Sequence, residues 1–136
     1  MPAPKPLKIR IGELAARTGR SAHTIRWYEQ QGLLPPVPRL GSHRVYSNRH
    51  VEWLELIDRL RASGMSVAQL RRYTALAQRG TPALEQTREV LRAHRRDVEQ
   101  SIRQWQRALR LIDDKIDFYT RWIEEGARPR GRSPET

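Results

Sequence analysis

The run Thr24-Ile25-Arg26-Trp27-Tyr28-Glu29, closed by Gly32-Leu33-Leu34, carries the most specific chemistry in this chain. An arginine beside two aromatics is a poor core design. On a surface helix the same residues suit DNA, because a guanidinium donates two parallel hydrogen bonds to a base edge or a phosphate. Arg26 is the leading candidate for such a contact, and the competing reading is an ion pair with Glu29, three residues on. His23 lies about one turn earlier, where it either meets a base edge or stands in solvent. Thr24 buttresses the helix. Tyr28 can set its hydroxyl on a phosphate while its ring packs. Trp27 reads equally as a half-buried packing residue.

Elements must hold these side chains in place. Ile9-Arg10-Ile11-Gly12-Glu13-Leu14-Ala15 predicts a helix over about 12–18 with Leu14 and Ala15 inward. Ser21 is a natural N-cap for a second helix over about 22–31, with Ile25 and Tyr28 inward and Gly32 ending it. Two short helices joined by a tight Gly-containing turn describe a helix-turn-helix. Pro35, Pro36 and Pro38 then stop any helix. Arg39 to Tyr46, with Gly41-Ser42 at the tip, reads as a short hairpin, a wing built from Arg39, His43, Arg44 and Tyr46. Ser47 should cap a third helix over about 48–62, whose Val51, Leu54, Ile57 and Leu60 follow helical spacing, with Trp53 beside them. Ser66 with Gln69 is a capping-box signature for a fourth helix over about 67–79.

Thr81-Pro82 looks like an N-cap with a first-turn proline. From there to about Glu125 no Gly or Pro intervenes. Val98, Ile102, Trp105, Leu109, Ile112, Ile116, Tyr119 and Ile123 follow one another in alternating steps of four and three. That is the a/d seam of a coiled coil, and it predicts a homodimer. Arg88 and Arg95 fall on the same seam in the first half. A seam that turns charged cannot meet a parallel copy of itself, so the pairing is antiparallel or that half packs on the partner's DNA-binding domain.

The order of these pieces resembles the MerR family of bacterial transcription regulators. The string from Thr24 to Leu33 carries the resemblance most specifically. It covers about the first eighty residues and, more loosely, the long helix. The resemblance implies a mainly α fold: a winged helix-turn-helix followed by a long antiparallel coiled-coil dimerisation helix. It also implies a homodimer on a pseudo-palindromic promoter site that bends and untwists an over-long spacer, so that RNA polymerase is affected indirectly through the promoter. On this pattern Arg26 lies at the groove, Trp27 near the DNA backbone, and the wing-tip residue with the following Arg44 on phosphates. His43 stands where many members carry Tyr. Ser21, His23, Thr24, Arg26, Trp27, Tyr28, Arg39, His43, Arg44 and Tyr46 form the expected DNA-binding set. The alternative for Arg44 is a salt bridge bracing the hairpin.

Composition points the same way. Of 136 residues, 38% are hydrophobic and 30% charged, and the mean hydropathy is -0.78. So polar a chain spends many residues on solvated helix faces and completes its core by oligomerising. The net charge of +11 calls for a polyanionic partner. Residues 1–80 carry 14 Lys/Arg against 5 Asp/Glu, and residues 81–136 carry 12 against 10. The excess therefore sits on the helix-turn-helix. Only Lys5, Lys8 and Lys115 are lysines, which reflects either a preference for bidentate contacts or an arginine-rich codon usage.

Cysteine is absent, which excludes a disulfide, a thiolate metal site and the cysteine-based sensing found in several MerR branches. The four histidines show no metal spacing, and no cofactor is expected. No nucleophile, carboxylate pair or phosphate loop supports an enzyme. No apolar run has membrane length, so the expected location is the cytoplasm, on the nucleoid. The expected organisation is an arm at 1–7, a DNA-binding domain at 8–80, a dimerisation helix at 81–125 and a disordered tail at 126–136. With no separate ligand domain in view, a small organic effector would lie between the DNA-binding domain, the first half of the long helix and the partner subunit. Trp53, Tyr73, Trp105, Phe118, Tyr119 and Trp122 are the candidate lining, although aromatics at this spacing serve equally as core. The alternative function is an architectural DNA-binding protein without an effector.

Overall fold

The computed structural model describes residues 8–131, so the expected arm at 1–7 and the last five residues of the tail lie outside the described residues. Five helices and one small hairpin follow in the order α1 (Ile11–Thr18), α2 (Ala22–Gln30), β1 (Arg39–Leu40), β2 (His43–Arg44), α3 (Asn48–Ala62), α4 (Val67–Gln78) and α5 (Leu84–Glu125). Two compact units are present, residues 1–94 and 95–136. The division falls after His94, within α5. The first turns of α5 pack on the DNA-binding unit through half-buried Val90 and Leu91. His94 is buried there, its Nε2 2.8 Å from the Ser63 hydroxyl.

In the first unit, α1 ends because Gly19 enters the left-handed region at φ 68° and returns its N–H to the Ala15 carbonyl. α2 starts two residues later under Ser21, whose hydroxyl accepts the Thr24 N–H at 3.1 Å. The turn between them is therefore set by one glycine and one cap. Leu14, Ile25, Leu33, Leu54, Ile57 and Leu70 are fully buried and form the core with Tyr28 and Tyr46. Trp53 locks the chain reversal after α2, donating its indole N–H to the Leu33 carbonyl at 2.8 Å.

The wing is an antiparallel pair with Arg39 opposite Arg44 and Leu40 opposite His43. Its base is tied to the start of the chain by a bridge in which Ile9 and Tyr46 exchange two backbone hydrogen bonds of 2.8 Å. α3 carries a capping box of unusual composition: the Ser47 N–H donates to His50 Nδ1 at 3.0 Å, where a Glu or Gln is the common partner. α4 has the box expected from Ser66 and Gln69. Thr81–Ala83 forms one 3-10 turn before α5.

The second unit is the rest of α5 and the segment after it. The expected seam is an open apolar stripe, with Trp105 71%, Leu109 58%, Ile112 53%, Ile116 59% and Ile123 81% exposed. Phe118 is an exception at 4%. The Arg128 guanidinium lies over its ring, and Pro129 is buried. Residues 126–131 therefore fold back on the helix, where a disordered tail is expected from their composition. A proline and an arginine that could cover an aromatic ring gave no periodic signal.

Candidate nucleic-acid interface

α2 presents His23, Arg26 and Gln30 to solvent while Ile25 and Tyr28 face the core. Arg26 makes no hydrogen bond or ion pair among the described residues, because Glu29, the partner three residues on, is taken by Arg44. Arg44 Nε donates to Glu29 Oε1 at 3.0 Å and ties the wing to α2. The Arg44 side chain stays 38% exposed. The bracing role and the outward-facing guanidinium thus coexist. Arg39 and His43 are exposed on the two strands.

These groups converge. A shallow concavity of about 430 Å3 is lined by Arg10, Ile11, Gly12, Arg26, Ser42, His43 and Arg44. Three guanidiniums and an imidazole meet there beside the first turn of α1, whose unpaired N–H groups add a partial positive charge. Arg10 escaped the sequence reading, since it precedes α1 and belongs to no recognition motif. Only the fold brings it opposite the wing. Arg20, by contrast, is held in an ion pair with Asp58.

Two residues of the expected set, Tyr28 and Tyr46, are buried. Tyr28 is 3% exposed, and its hydroxyl donates to Asp58 Oδ1 at 3.0 Å while accepting from Arg61 at 3.3 Å. Its hydroxyl is thus engaged within the protein. Tyr46 is fully buried at the wing base. Burial first, then the Glu29 carboxylate, raises its phenol above the usual value, against the opposing pull of Arg44 and Arg26. Both Tyr46 Oη and Glu29 Oε2 are buried short of hydrogen-bonding geometry. Ser21 and Thr24 are engaged with each other at the helix start, their hydroxyls 2.9 Å apart. Trp27 is half-buried beside Tyr28, with the Arg61 guanidinium 5.5 Å from its ring.

The aromatic residues of the expected effector lining are divided between the two units. In the first unit Trp53 and Tyr73 stack at 5.5 Å and 9° with their faces on each other. In the second unit Phe118, Tyr119 and Trp122 form a separate cluster around the buried Phe118, and Trp105 is exposed. Tyr73 and Phe118 are buried, and Trp53 is half-buried against the core. Among the described residues no group of three His, Asp or Glu could hold a metal ion. No described helix is long and apolar enough to cross a membrane.

Comparison with known proteins decides what this surface belongs to. The family model for the MerR HTH family regulatory protein matches residues 9–76, and the MerR DNA-binding model matches residues 51–115. The chain belongs to the MerR family. An uncharacterised HTH-type transcriptional regulator of Haemophilus influenzae is 31% identical over 107 residues, 77% of this chain and 78% of that protein. A putative MerR family regulator from Listeria monocytogenes matches in structure with a TM-score of 0.81 and 33% identity, over 87% of this chain and 90% of that one. HiNmlR, described as a MerR family regulator lacking the sensor domain and bound to promoter DNA, matches with a TM-score of 0.76 and 27% identity, over 89% and 97%. This chain is accordingly a MerR-family DNA-binding transcriptional regulator, and the family consists of regulators, not enzymes.

Proposed function

We propose that this regulator binds a pseudo-palindromic promoter site as a homodimer, one recognition helix per half-site, and distorts the spacer between the polymerase elements. The observation that carries the reading is Arg26, exposed and unpaired on α2, in one concavity with Arg10, His43 and Arg44. α2 enters the major groove, Arg26 and His23 meet base edges, and Arg10, Arg39 and Arg44 hold phosphates on either side. The open stripe from Ile102 to Ile123 supports the dimer, since so much exposed apolar surface on one helix face needs a like partner. Two recognition helices joined through a rigid dimer fix the half-site spacing, and a mismatch with relaxed DNA is met by deforming the DNA. Polymerase is affected through promoter geometry. The place of action is the cytoplasm, at the nucleoid, and a small organic molecule is the class of effector.

A titration of the purified protein against DNA from upstream of its own gene tests this. The expected result is a footprint with two-fold symmetry and affinity at least about a thousandfold above that for scrambled DNA. Equal affinity for both would favour the architectural alternative.

A further inference from the structure

A second cavity in the DNA-binding unit, of about 600 Å3, lies between the base of the wing, the segment from Pro35 to Pro38, the start of α3 and the last residue of α4. Small-molecule sites span roughly 300–1,000 Å3. Its walls are mostly apolar, built by Pro35, Pro36, Pro38 and Leu40. Leu40 is 66% exposed, an unusual position for leucine on a two-residue strand. Three cations also line the cavity, Lys8, Arg39 and Arg49, and no carboxylate does. None of the three is in an ion pair among the described residues.

The walls are fixed without a ligand. Three prolines stiffen one side, the fully buried Tyr46 and its bridge to Ile9 hold another, and His50 is locked into the α3 capping box. Because His50 Nδ1 accepts the Ser47 N–H, Nε2 carries the proton in the neutral ring. That Nε2 is buried without a hydrogen-bond partner. Such a cavity needs little ordering when a guest arrives.

We propose that this cavity is an effector site for a small organic anion with a flat apolar body, an aromatic carboxylate. The charge pattern excludes a cation, and the apolar walls give a bare phosphate or a phosphodiester little to contact. A carboxylate on an apolar ring matches both features: the ring against the prolines and Leu40, the charge at Arg49, with Lys8 and Arg39 adding to the positive field of the rim. Arg39, Leu40, Val45 and Tyr46 come from the wing itself. A guest therefore touches the element that carries phosphate-facing groups, and any preference for one wing geometry appears as a change in DNA affinity of equal size in both directions. The site differs from the expected aromatic pocket in both its place and its lining.

The test uses the full-length protein without DNA, so it stands independently of promoter recognition. The probes are 2-naphthoate and its neutral counterpart 2-naphthamide, titrated by calorimetry. The expected result is one saturable site per chain, with the carboxylate bound about tenfold more tightly, as one charge-assisted contact at a partly desolvated rim provides. Arg49→Gln should remove most of that difference. Gln78→Trp, at an exposed helix end, should obstruct the cavity and weaken both probes without unfolding the chain. Equal affinity for the two probes, or no saturable binding, overturns the proposal. So does naphthoate binding that is abolished by Arg26→Ala and untouched by Arg49→Gln, which would place the anion on the DNA face. Amide-exchange protection of the cavity residues that appears only on dimerisation, with no probe binding, would show that a second copy covers it.

Discussion

Arg26 and Tyr28 are two residues apart and have opposite fates. Arg26 stays exposed because its neighbour Glu29 is captured by the wing, which leaves a guanidinium with its full donor capacity for DNA. Arg26→Ala should weaken specific binding by about 1–3 kcal/mol, the range for one base-directed arginine. Fluorescence anisotropy at moderate salt measures this, and an unchanged affinity would remove α2 from the recognition role. Tyr28 instead bridges α2 to α3 through Asp58 and Arg61. Tyr28→Phe removes two part-buried hydrogen bonds and should cost about 1–2 kcal/mol of stability, while leaving DNA affinity of the folded protein nearly unchanged. Urea denaturation and anisotropy together separate the two effects. A selective loss of DNA binding would return the hydroxyl to a phosphate.

At the scale of elements, the start of α3 makes stability depend on pH. Burial lowers the His50 pKa below its usual 6.5, and the Arg49 charge adds to this, against nearby backbone carbonyls of Pro36 and Pro35 and the Glu29 charge. The unfolded chain takes up a proton as pH falls through 6.5, while the folded ring resists it. Stability contributed by neutral His50 is therefore present above pH 6.5 and is lost as pH falls towards the folded pKa. His50→Gln keeps a side-chain acceptor for the Ser47 N–H, and urea denaturation between pH 8 and 5 should show a flatter dependence than wild type, by about 1 kcal/mol or less. Identical pH profiles would remove His50 as the source. α5 supplies the second prediction at this scale. A glutamate at Leu109 places a charge in the middle of the exposed stripe, so Leu109→Glu should give monomers or unfolded chains by light scattering. A dimer of normal strength would show that the stripe does not form the interface.

For the whole molecule, the distribution of charge governs how binding responds to salt. The excess lies on residues 1–80, and the structure gathers Arg10, Arg26, Arg39 and Arg44 on or beside the wing and α2. Three phosphate contacts per subunit give about six per dimer, and hence a slope of about −5 in log K against log salt. Titrations at three salt concentrations read it directly. A slope shallower than about −2 would leave too few phosphate contacts for a duplex-wide interface.

Much of the fold is legible in local chemistry. Ser21, Gly19 and the Ser66–Gln69 box act within three or four residues, so their meaning does not depend on the rest of the chain. The seam on α5 is equally legible, because helical periodicity survives whatever the partner is. The recognition string around Arg26 identifies the motif for the same reason. What only tertiary structure decides are the pairings between distant segments. The sequence offers Arg26–Glu29 as the nearby ion pair, yet Glu29 lies opposite Arg44, fifteen residues away, once the wing folds over α2. Tyr28 and Tyr46 are half-polar side chains that suit a surface or a core, and the position of Asp58 and the Ile9 bridge settles both inward. Arg10 joins the basic concavity, and Lys8, Arg39 and Arg49 meet around the apolar cavity, only because the wing is tied back to the first strand-like residues. Side chains brought together across tens of residues leave no period in the sequence, since their proximity is fixed by how the helices and the wing pack.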